Sequence, residues 1–428
     1  MKRHLLTMLL AAATTMAAAQ SFDELFEDRT LRLDYIFSGN VREQTIALDQ
    51  LSVSPHWFGK RQRLAELPIE GNGQVTVRSH SSGKVIYRNS FSTLFQEWLS
   101  YPEAEHNTQA FENVFLVPMP RDTADITIDL RNNRREVMAS MTHTVVPTDI
   151  LIRHIGEKNL TPCDTLQLAA DPARSIHIAY VAEGYQQSEM PTFINDCREA
   201  MEALFAHEPF KSLRQRFTIV AVKSPSAESG TSEPAKGIWK KTALGSHYDT
   251  FYSSRYLTTL HLKTLHDVLA GIPYEHIIVL VNTDRYGGGG ILNSYNLSST
   301  HHPKFKPVVV HEFGHSFCGL GDEYAYEEEQ IPMYPKDVEP WEPNLTTLVD
   351  FHGKWENLIK KGTPVPTPLS TDPKVIGTRV GLFQGGGYNV HDVYRGVQDC
   401  RMRTNEHPEF CAVCQQALTR LIEFYTGK

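Results

Sequence analysis

Two histidines and a glutamate stand at a spacing that can bind a metal ion and activate water. The segment His311-Glu312-Phe313-Gly314-His315 follows the apolar run Val308-Val309-Val310. On a helix, residues four apart lie one above the other, so His311 and His315 can direct imidazole nitrogens at one ion. The pattern predicts one zinc ion per chain, which lowers the pKa of a bound water to about 7, and Glu312 as the base that takes the water's proton.

The residues around this motif favour a buried zinc helix over the alternative, a polar helix that faces solvent. The run before the motif is strongly apolar, and Gly314 permits close packing. Gly319 and Gly321 are expected to end the helix with a sharp turn. That turn would bring the segment Asp322-Glu323-Tyr324 back towards the two histidines.

The N-terminal part of the chain has the period-two pattern of β-strands. Apolar residues alternate with polar ones from Leu31 to about Ile155, and turn residues separate the runs. The pair Ser82-Gly83 between two of these runs predicts a hairpin turn. We therefore expect a β-sandwich domain at residues 20–155, and this stretch contains no group of residues with catalytic spacing.

The remainder of the chain predicts an α/β domain at residues 170–428. Strands are expected at Ile176–Val181, Phe217–Val222 and His276–Asn282, with helices between them. The first helix should begin at the N-cap Ser188 and bury the apolar stripe formed by Phe193, Cys197, Met201 and Leu204. The predicted fold class is thus α+β with two domains.

Composition and the first residues predict an exported protein. A net charge of -8 with 41% hydrophobic and 21% charged residues argues against disorder and against nucleic acid as a partner. Residues 1–19 combine a basic start, an apolar run and the sequence Ala17-Ala18-Ala19, the features of a cleaved signal peptide. The alternative is an anchoring helix, but the apolar run is shorter than the roughly 20 residues that such a helix needs. We expect a periplasmic, cell-surface or extracellular protein without a membrane span.

Six cysteines could form disulfides in such a compartment. Three of them, Cys400, Cys411 and Cys414, lie close together in the sequence near the C-terminus. Their spacing allows disulfide staples, a small structural zinc site or a redox pair. Disulfides are the favoured interpretation outside the cell, and the sequence leaves their pairing open.

The glycine run Gly287–Gly290 follows an apolar strand, but it lacks the Lys-Ser/Thr ending of a phosphate-binding loop. Glycines permit a bent backbone or the close approach of another chain. An extended segment at this position could also offer an edge to which a peptide adds as a strand.

Taken together, these motifs resemble the bacterial IgA peptidase family of zinc metallopeptidases, which belongs with the metzincin-like enzymes. The resemblance covers about residues 170–428, and the preceding β-domain also fits this family. The residues that carry it are His311 to Phe317, Gly319-Leu320, Asp322-Glu323-Tyr324, Glu183-Gly184-Tyr185, Cys400-Arg401-Met402-Arg403 and Phe410 to Cys414.

The resemblance implies a metzincin-like catalytic domain in which Met402 forms a hydrophobic Met-turn beneath the zinc and Asp322 is the third ligand. The chain departs from the common metzincin spacing, because Cys318 and Gly321 occupy the offsets of the usual glycine and third ligand. Glu323 or a more distant carboxylate therefore remains an alternative ligand. One carboxylate of the pair is also expected in a second shell, where it would orient a histidine by accepting its other N–H.

Two tyrosines upstream of Met402 are possible oxyanion donors, Tyr388 and Tyr394, with simple packing as the alternative role for each. The predicted function is a secreted zinc-dependent endopeptidase or exopeptidase that hydrolyses protein or peptide substrates. Two alternatives remain: a catalytically silent binding protein with a structural zinc, and a zinc hydrolase of a non-peptide amide.

Overall fold

A computed structural model describes residues 21–326 and 334–427. The predicted signal peptide, residues 1–19, lies outside the described residues. Within them, the chain has a mixed α+β fold whose strands form four sheets. No helix in these two ranges combines the length and the hydropathy that are needed to cross a bilayer.

The N-terminal strands form two sheets of four strands each. The strands are β1 (Phe26–Gly39), β2 (Gln44–Pro55), β3 (Gly73–Ser79), β4 (Val85–Phe91), β5 (Gln109–Pro120), β6 (Ala124–Arg131), β7 (Val137–Val145) and β8 (Arg153–His154). Their orders are β5-β1-β2-β8 and β4-β3-β6-β7. The short helices are α1 (Phe22–Leu25) and α2 (Leu94–Trp98).

The period-two pattern and the predicted hairpin are both confirmed in these sheets. Ile126, Ile128 and Leu130 are fully buried in β6, and the residues between them are less buried. Strand β3 pairs antiparallel with β4, and Gly83 in the connecting turn has a φ of 67°. This left-handed conformation strongly favours glycine, which accounts for the Ser82-Gly83 signal.

A six-stranded sheet forms the centre of the second half of the chain. Its strands are β9 (Cys163–Gln167), β10 (Ile176–Glu183), β11 (Phe217–Val222), β12 (His276–Val281), β13 (Gly288–Ile291) and β14 (Tyr295–Ser299). Their order is β13-β14-β12-β10-β11-β9. The four inner strands are parallel, and the edge strands β9 and β13 are antiparallel to their neighbours.

Three further strands form a small antiparallel sheet, and five helices complete the second half. The strands are β15 (Leu345–Thr346), β16 (Phe383–Gly386) and β17 (Asn389–Arg395). The helices are α3 (Met190–Phe205), α4 (Leu262–Val268), α5 (Phe305–Cys318), α6 (Pro373–Ile376) and α7 (Ala412–Thr426). The apolar stripe predicted on α3 is buried, but its N-cap is Glu189, so the predicted cap Ser188 is wrong.

The six-stranded sheet is covered on both faces. Every residue of β10, β11 and β12 is buried, which requires packing on both sides. On one face, Val181 and Val279 belong to the same core as Phe37 and Phe95 of the N-terminal sheets. On the other face, side chains such as Ile278 pack in a second core with α3, α5 and α7. The N-terminal sheets are therefore packed directly onto the sheet that supports α5.

Polar contacts reinforce this packing. The Arg32 guanidinium, nearly fully buried in β1, donates to Asp267 Oδ1 of α4 at 2.6 Å. The Ser92 amide donates to the Leu292 carbonyl oxygen at 3.1 Å. Both contacts join segments about 200 residues apart in sequence, so the two halves of the chain are held by their tertiary structure.

Candidate metal centre

Helix α5 positions the two histidines and the glutamate of the motif. Its residues Val309 and Phe313 are buried in the core beneath the six-stranded sheet. His311, Glu312 and His315 lie on the side that keeps partial access to solvent. The helix thus places its apolar residues inside the fold and its three reactive side chains at a surface that a substrate can reach.

The ring nitrogens of the two histidines converge on the Asp322 carboxylate. His311 Nε2 lies 3.0 Å from His315 Nε2 and 3.1 Å from Asp322 Oδ1. His315 Nε2 lies 3.2 Å from the same carboxylate oxygen. The structure therefore brings together the three side chains that the sequence analysis proposed as ligands, with geometry that can hold one metal ion.

The second ring nitrogen of each histidine faces a backbone carbonyl. His311 Nδ1 lies 3.0 Å from the Arg401 oxygen, and His315 Nδ1 bonds the Leu320 oxygen. A carbonyl oxygen can only accept a hydrogen bond, so both Nδ1 atoms carry the proton. The Nε2 lone pairs are thereby directed at the Asp322 side chain, in the tautomer that a metal ion requires.

These carbonyls correct one prediction from the sequence. We expected Asp322 or Glu323 to orient a histidine by accepting its outer N–H, and this is wrong for both residues. Backbone oxygens occupy those positions. Glu323 does not face the histidines, because its Oε1 atom contacts Cys414 Sγ in a cluster with Cys400 and Cys411.

Electrostatics at the cluster call for one positive charge. Burial disfavours charge on His315, but the Asp322 and Glu312 carboxylates outweigh it and raise the pKa of His315 to about 9. Although burial opposes it, contact with the two histidines holds the pKa of Asp322 well below its ordinary value. A proton or a cation must lie among the converging acceptor atoms. Two imidazole nitrogens and a carboxylate are a ligand set of catalytic zinc sites, so the residues fit zinc.

The end of α5 explains how Asp322 returns to the histidines. The helix ends at Gly319, whose φ of 58° is left-handed. A Cβ atom at this position would lie 2.5 Å from the Trp341 ring, so glycine is required by space as well as by conformation. The predicted helix end and turn are confirmed.

The glycines of β13 allow that strand to pass close to the motif. A Cβ atom at Gly288 would lie 2.6 Å from Glu312 Oε1, and one at Gly290 would lie 2.4 Å from the Glu312 carbonyl oxygen. Burial raises the pKa of Glu312, and the two neighbouring histidines oppose that change. The edge strand therefore lies directly beside the side chain that we predicted as the base.

Met402 packs against α5 at the level of the histidines. The residue is fully buried, and a Cβ atom at Gly314 would lie 2.8 Å from Met402 Sδ. The close approach of the thioether therefore depends on glycine in the middle of the motif. This position agrees with a hydrophobic floor, and the Glu323 amide donates to the Met402 carbonyl oxygen at 2.9 Å.

The two candidate oxyanion tyrosines lie in different surroundings. The Tyr388 hydroxyl donates to Asp322 Oδ2 at 2.8 Å, so it reaches the cluster directly. The Tyr394 ring instead packs at the rim of the second core, and it makes no hydrogen bond to His311, His315 or Asp322. Only Tyr388 is placed where it can act on the reacting atoms.

Two residues near the centre were given no role by the sequence analysis, although it expected the segment that ends in Tyr324 to lie near the histidines. The Tyr324 hydroxyl lies 3.0 Å from that of Tyr388, and its proximity to Asp322 in sequence was a usable signal. Glu97, from α2, accepts a hydrogen bond from the Tyr256 hydroxyl at 2.6 Å. Burial and the Asp322 charge raise the pKa of Glu97 to about 7, although its bond from Tyr256 opposes this. No local pattern could have placed it there.

The expectation of disulfides is also wrong in the described part of the chain, where all six cysteines are free. Cys400, Cys411 and Cys414 instead form a buried cluster with Glu323. Their spacing in the sequence was compatible with this arrangement, but it could not distinguish it from disulfide staples.

Comparison with protein families agrees with these observations. Residues 165–375 and 371–422 match the family described as IgA Peptidase M64. Residues 21–142 match the family described as Peptidase M64 N-terminus. A comparison with curated proteins gives no match.

Proposed function

The chain belongs to the IgA Peptidase M64 family, a family of peptidases, and from this premise we propose that it is an exported zinc-dependent peptidase. In the proposal, His311, His315 and Asp322 hold the ion, and Glu312 is the general base. The observation that carries it is the convergence of the two Nε2 atoms with Asp322 Oδ1, while both Nδ1 atoms are fixed by carbonyls.

Each residue of the proposed centre has a distinct part in hydrolysis. When bound, zinc supplies a Lewis acid that lowers the pKa of water and polarises the scissile carbonyl. Glu312, which follows the first histidine ligand, accepts the proton of the attacking water and passes it to the leaving amine. The Tyr388 hydroxyl donates a hydrogen bond to Asp322 in this structure and can donate one to the oxyanion during attack.

The edge of β13 supports a peptide as the substrate. The Leu257 amide donates to the Gly288 carbonyl oxygen at 3.3 Å, so that end of the edge is covered. Backbone groups two residues apart face the same side of a strand, so those of Gly290 also face the outer edge. There they have no backbone partner in the part of the chain that the structure describes. An extended substrate can add at Gly290, next to Glu312.

The proposal also assigns a domain to each half of the chain. We assign residues 20–155 to a β-sandwich domain and residues 170–428 to a metzincin-like catalytic domain with Met402 in its Met-turn. The shared core explains why the N-terminal sheets accompany the catalytic part, because they cover one face of the sheet that supports α5. Removal of residues 1–19 on export would leave all the described residues in the mature protein.

The test compares the mature protein with Glu312→Gln, which keeps the side chain's shape and removes the base. We expect equal zinc content in both and a loss of peptide-library cleavage of about 10²- to 10⁴-fold in the variant. Glu199→Gln, at an exposed carboxylate of α3, is the matched control and should cleave normally.

Three outcomes would contradict the proposal. Cleavage by Glu312→Gln at the normal rate would exclude the base assignment. Absence of zinc in the unsubstituted protein would exclude the metal. Hydrolysis of cell-wall fragments in place of peptides would indicate a non-peptide amide as the substrate.

A further inference from the structure

A second group of metal-binding side chains lies on the other side of the loop that carries Asp322. Glu323, Cys400, Cys411 and Cys414 offer ligand atoms that all lie within 4.8 Å of one another. Each of the four residues is at most 2% exposed to solvent. The cluster is separate from the histidine site and takes no part in the proposed catalysis.

The distances within this group suit a tetrahedral ion better than a disulfide. Cys414 Sγ lies 3.8 Å from Cys400 Sγ and 3.7 Å from Cys411 Sγ. Bonded sulfurs are about 2.05 Å apart, so none of these pairs is bonded. Thiolates that surround a zinc ion tetrahedrally at about 2.3 Å have their sulfurs about 3.8 Å apart. The cysteine spacing is therefore that of a zinc site.

The carboxylate of Glu323 is the fourth member. Its Oε1 atom lies 3.3 Å from Cys414 Sγ and accepts a hydrogen bond from Asn344 at 3.0 Å. Its Oε2 atom is buried and has no hydrogen-bond partner among the described residues. A fully buried carboxylate with an unsatisfied oxygen is costly in the absence of a compensating charge. A divalent cation among the four side chains would supply that charge.

Neighbouring groups can offset negative charge on the cluster. Burial lowers the pKa of Arg395, and the charges of Glu323 and Cys400 oppose that change. The Cys411 amide donates to Cys400 Sγ at 3.2 Å, a contact that stabilises a thiolate. Thiol–disulfide exchange with another molecule is disfavoured, because complete burial keeps external thiols away from all three sulfurs.

We propose that Glu323, Cys400, Cys411 and Cys414 form a closed structural zinc site, which raises the zinc content to two ions per chain. The site joins the segments that build the catalytic centre. Glu323 directly follows the proposed ligand Asp322, and Cys400 lies two residues before Met402. The ion would therefore fix the loop of the third ligand to the turn beneath the histidines.

The test measures zinc by mass spectrometry in the full mature protein and in three variants: one at the histidine site, one at the cysteine cluster and one control. We expect two ions per chain in the unsubstituted protein and one in the double variant His311→Ala/His315→Ala. Glu323→Gln should retain the histidine-site ion and bind the other at least tenfold more weakly. Cys318→Ser, at a buried cysteine outside the cluster, should keep both ions.

Cobalt substitution gives a second readout that does not depend on activity. A sulfur-to-cobalt charge-transfer band should persist in His311→Ala/His315→Ala, because only the cysteine site has thiolate ligands. A single zinc that disappears with the two histidines, or a disulfide among the three cysteines, would overturn the inference. Two ions that both survive loss of the histidines would instead contradict the proposed catalytic site. The histidine variant leaves the cysteine cluster intact, so the test stands even if Glu323→Gln does not fold.

Discussion

The histidine cluster and the cysteine cluster are built from adjacent residues, yet solvent reaches only the first. Asp322 faces His311 and His315, which are partly accessible, and Glu323 faces three cysteines that are sealed in the core. Nitrogen and oxygen ligands with an accessible position suit chemistry, and sulfur ligands without one suit structure. Because one peptide bond joins the two clusters, the comparison also predicts how a change in one affects the other.

The largest expected effect is a difference in how easily a chelator reaches the ions of the two sites. A zinc chelator added to the native protein should remove the histidine-site ion and reduce cleavage to background. The cysteine-site ion should remain, because it is sealed until the protein unfolds. Zinc content, activity and thermal unfolding of the same sample measure this, and added zinc should restore activity. Loss of both ions at the same rate would contradict the difference in solvent access between the two sites.

The next effect concerns stability. Cys414→Ser should lower the free energy of unfolding by more than about 4 kcal/mol, because it removes a ligand of a closed site. Cys318→Ser should cost less, about 1–3 kcal/mol, because it changes only a buried sulfur in an apolar core. Urea unfolding at a fixed zinc concentration measures both values. Equal losses would show that the cysteine cluster contributes only packing.

A smaller effect tests the role of Tyr388 at the histidine cluster. Tyr388→Phe removes the hydroxyl that donates to Asp322 and should lower kcat about 10²- to 10³-fold, with zinc content unchanged. Tyr394→Phe should leave kcat unaltered, since its ring packs at the rim of the second core. If Tyr388→Phe lost zinc instead, its hydroxyl would serve to hold the Asp322 ligand.

The smallest expected effect tests the contact between helix and floor. Gly314→Ala brings a Cβ atom to 2.8 Å from Met402 Sδ and should cost about 1–3 kcal/mol of stability. When Met402 is already replaced by alanine, Gly314→Ala should cost less stability, because the new Cβ atom no longer collides with the thioether. A double-mutant cycle measures the difference. Additive losses of stability would show that the cost of Gly314→Ala does not come from its contact with Met402.

The sequence predicted the elements whose signals are local. The spacing of His311 and His315 on one helix and the glycine that ends it required only neighbouring residues, and the structure has both. The hairpin at Gly83 and the stripe on α3 were predictable for the same reason.

Long-range placement could not be predicted in this way. The direction of Glu323 depends on cysteines about 80 residues or more away, and spacing alone could not exclude the disulfides that we favoured over a metal cluster. Glu97 reaches Tyr256 across 159 residues, through packing of the N-terminal sheets that no local pattern encodes.

The sealed position of Met402 has a consequence for oxidation. Its sulfur is fully buried against Gly314, so no oxidant can reach it while the turn is closed. The rate at which Met402 becomes a sulfoxide would therefore report how often this part of the enzyme opens, rather than how reactive the sulfur is. Mass spectrometry after a peroxide pulse would then time that motion in the intact protein.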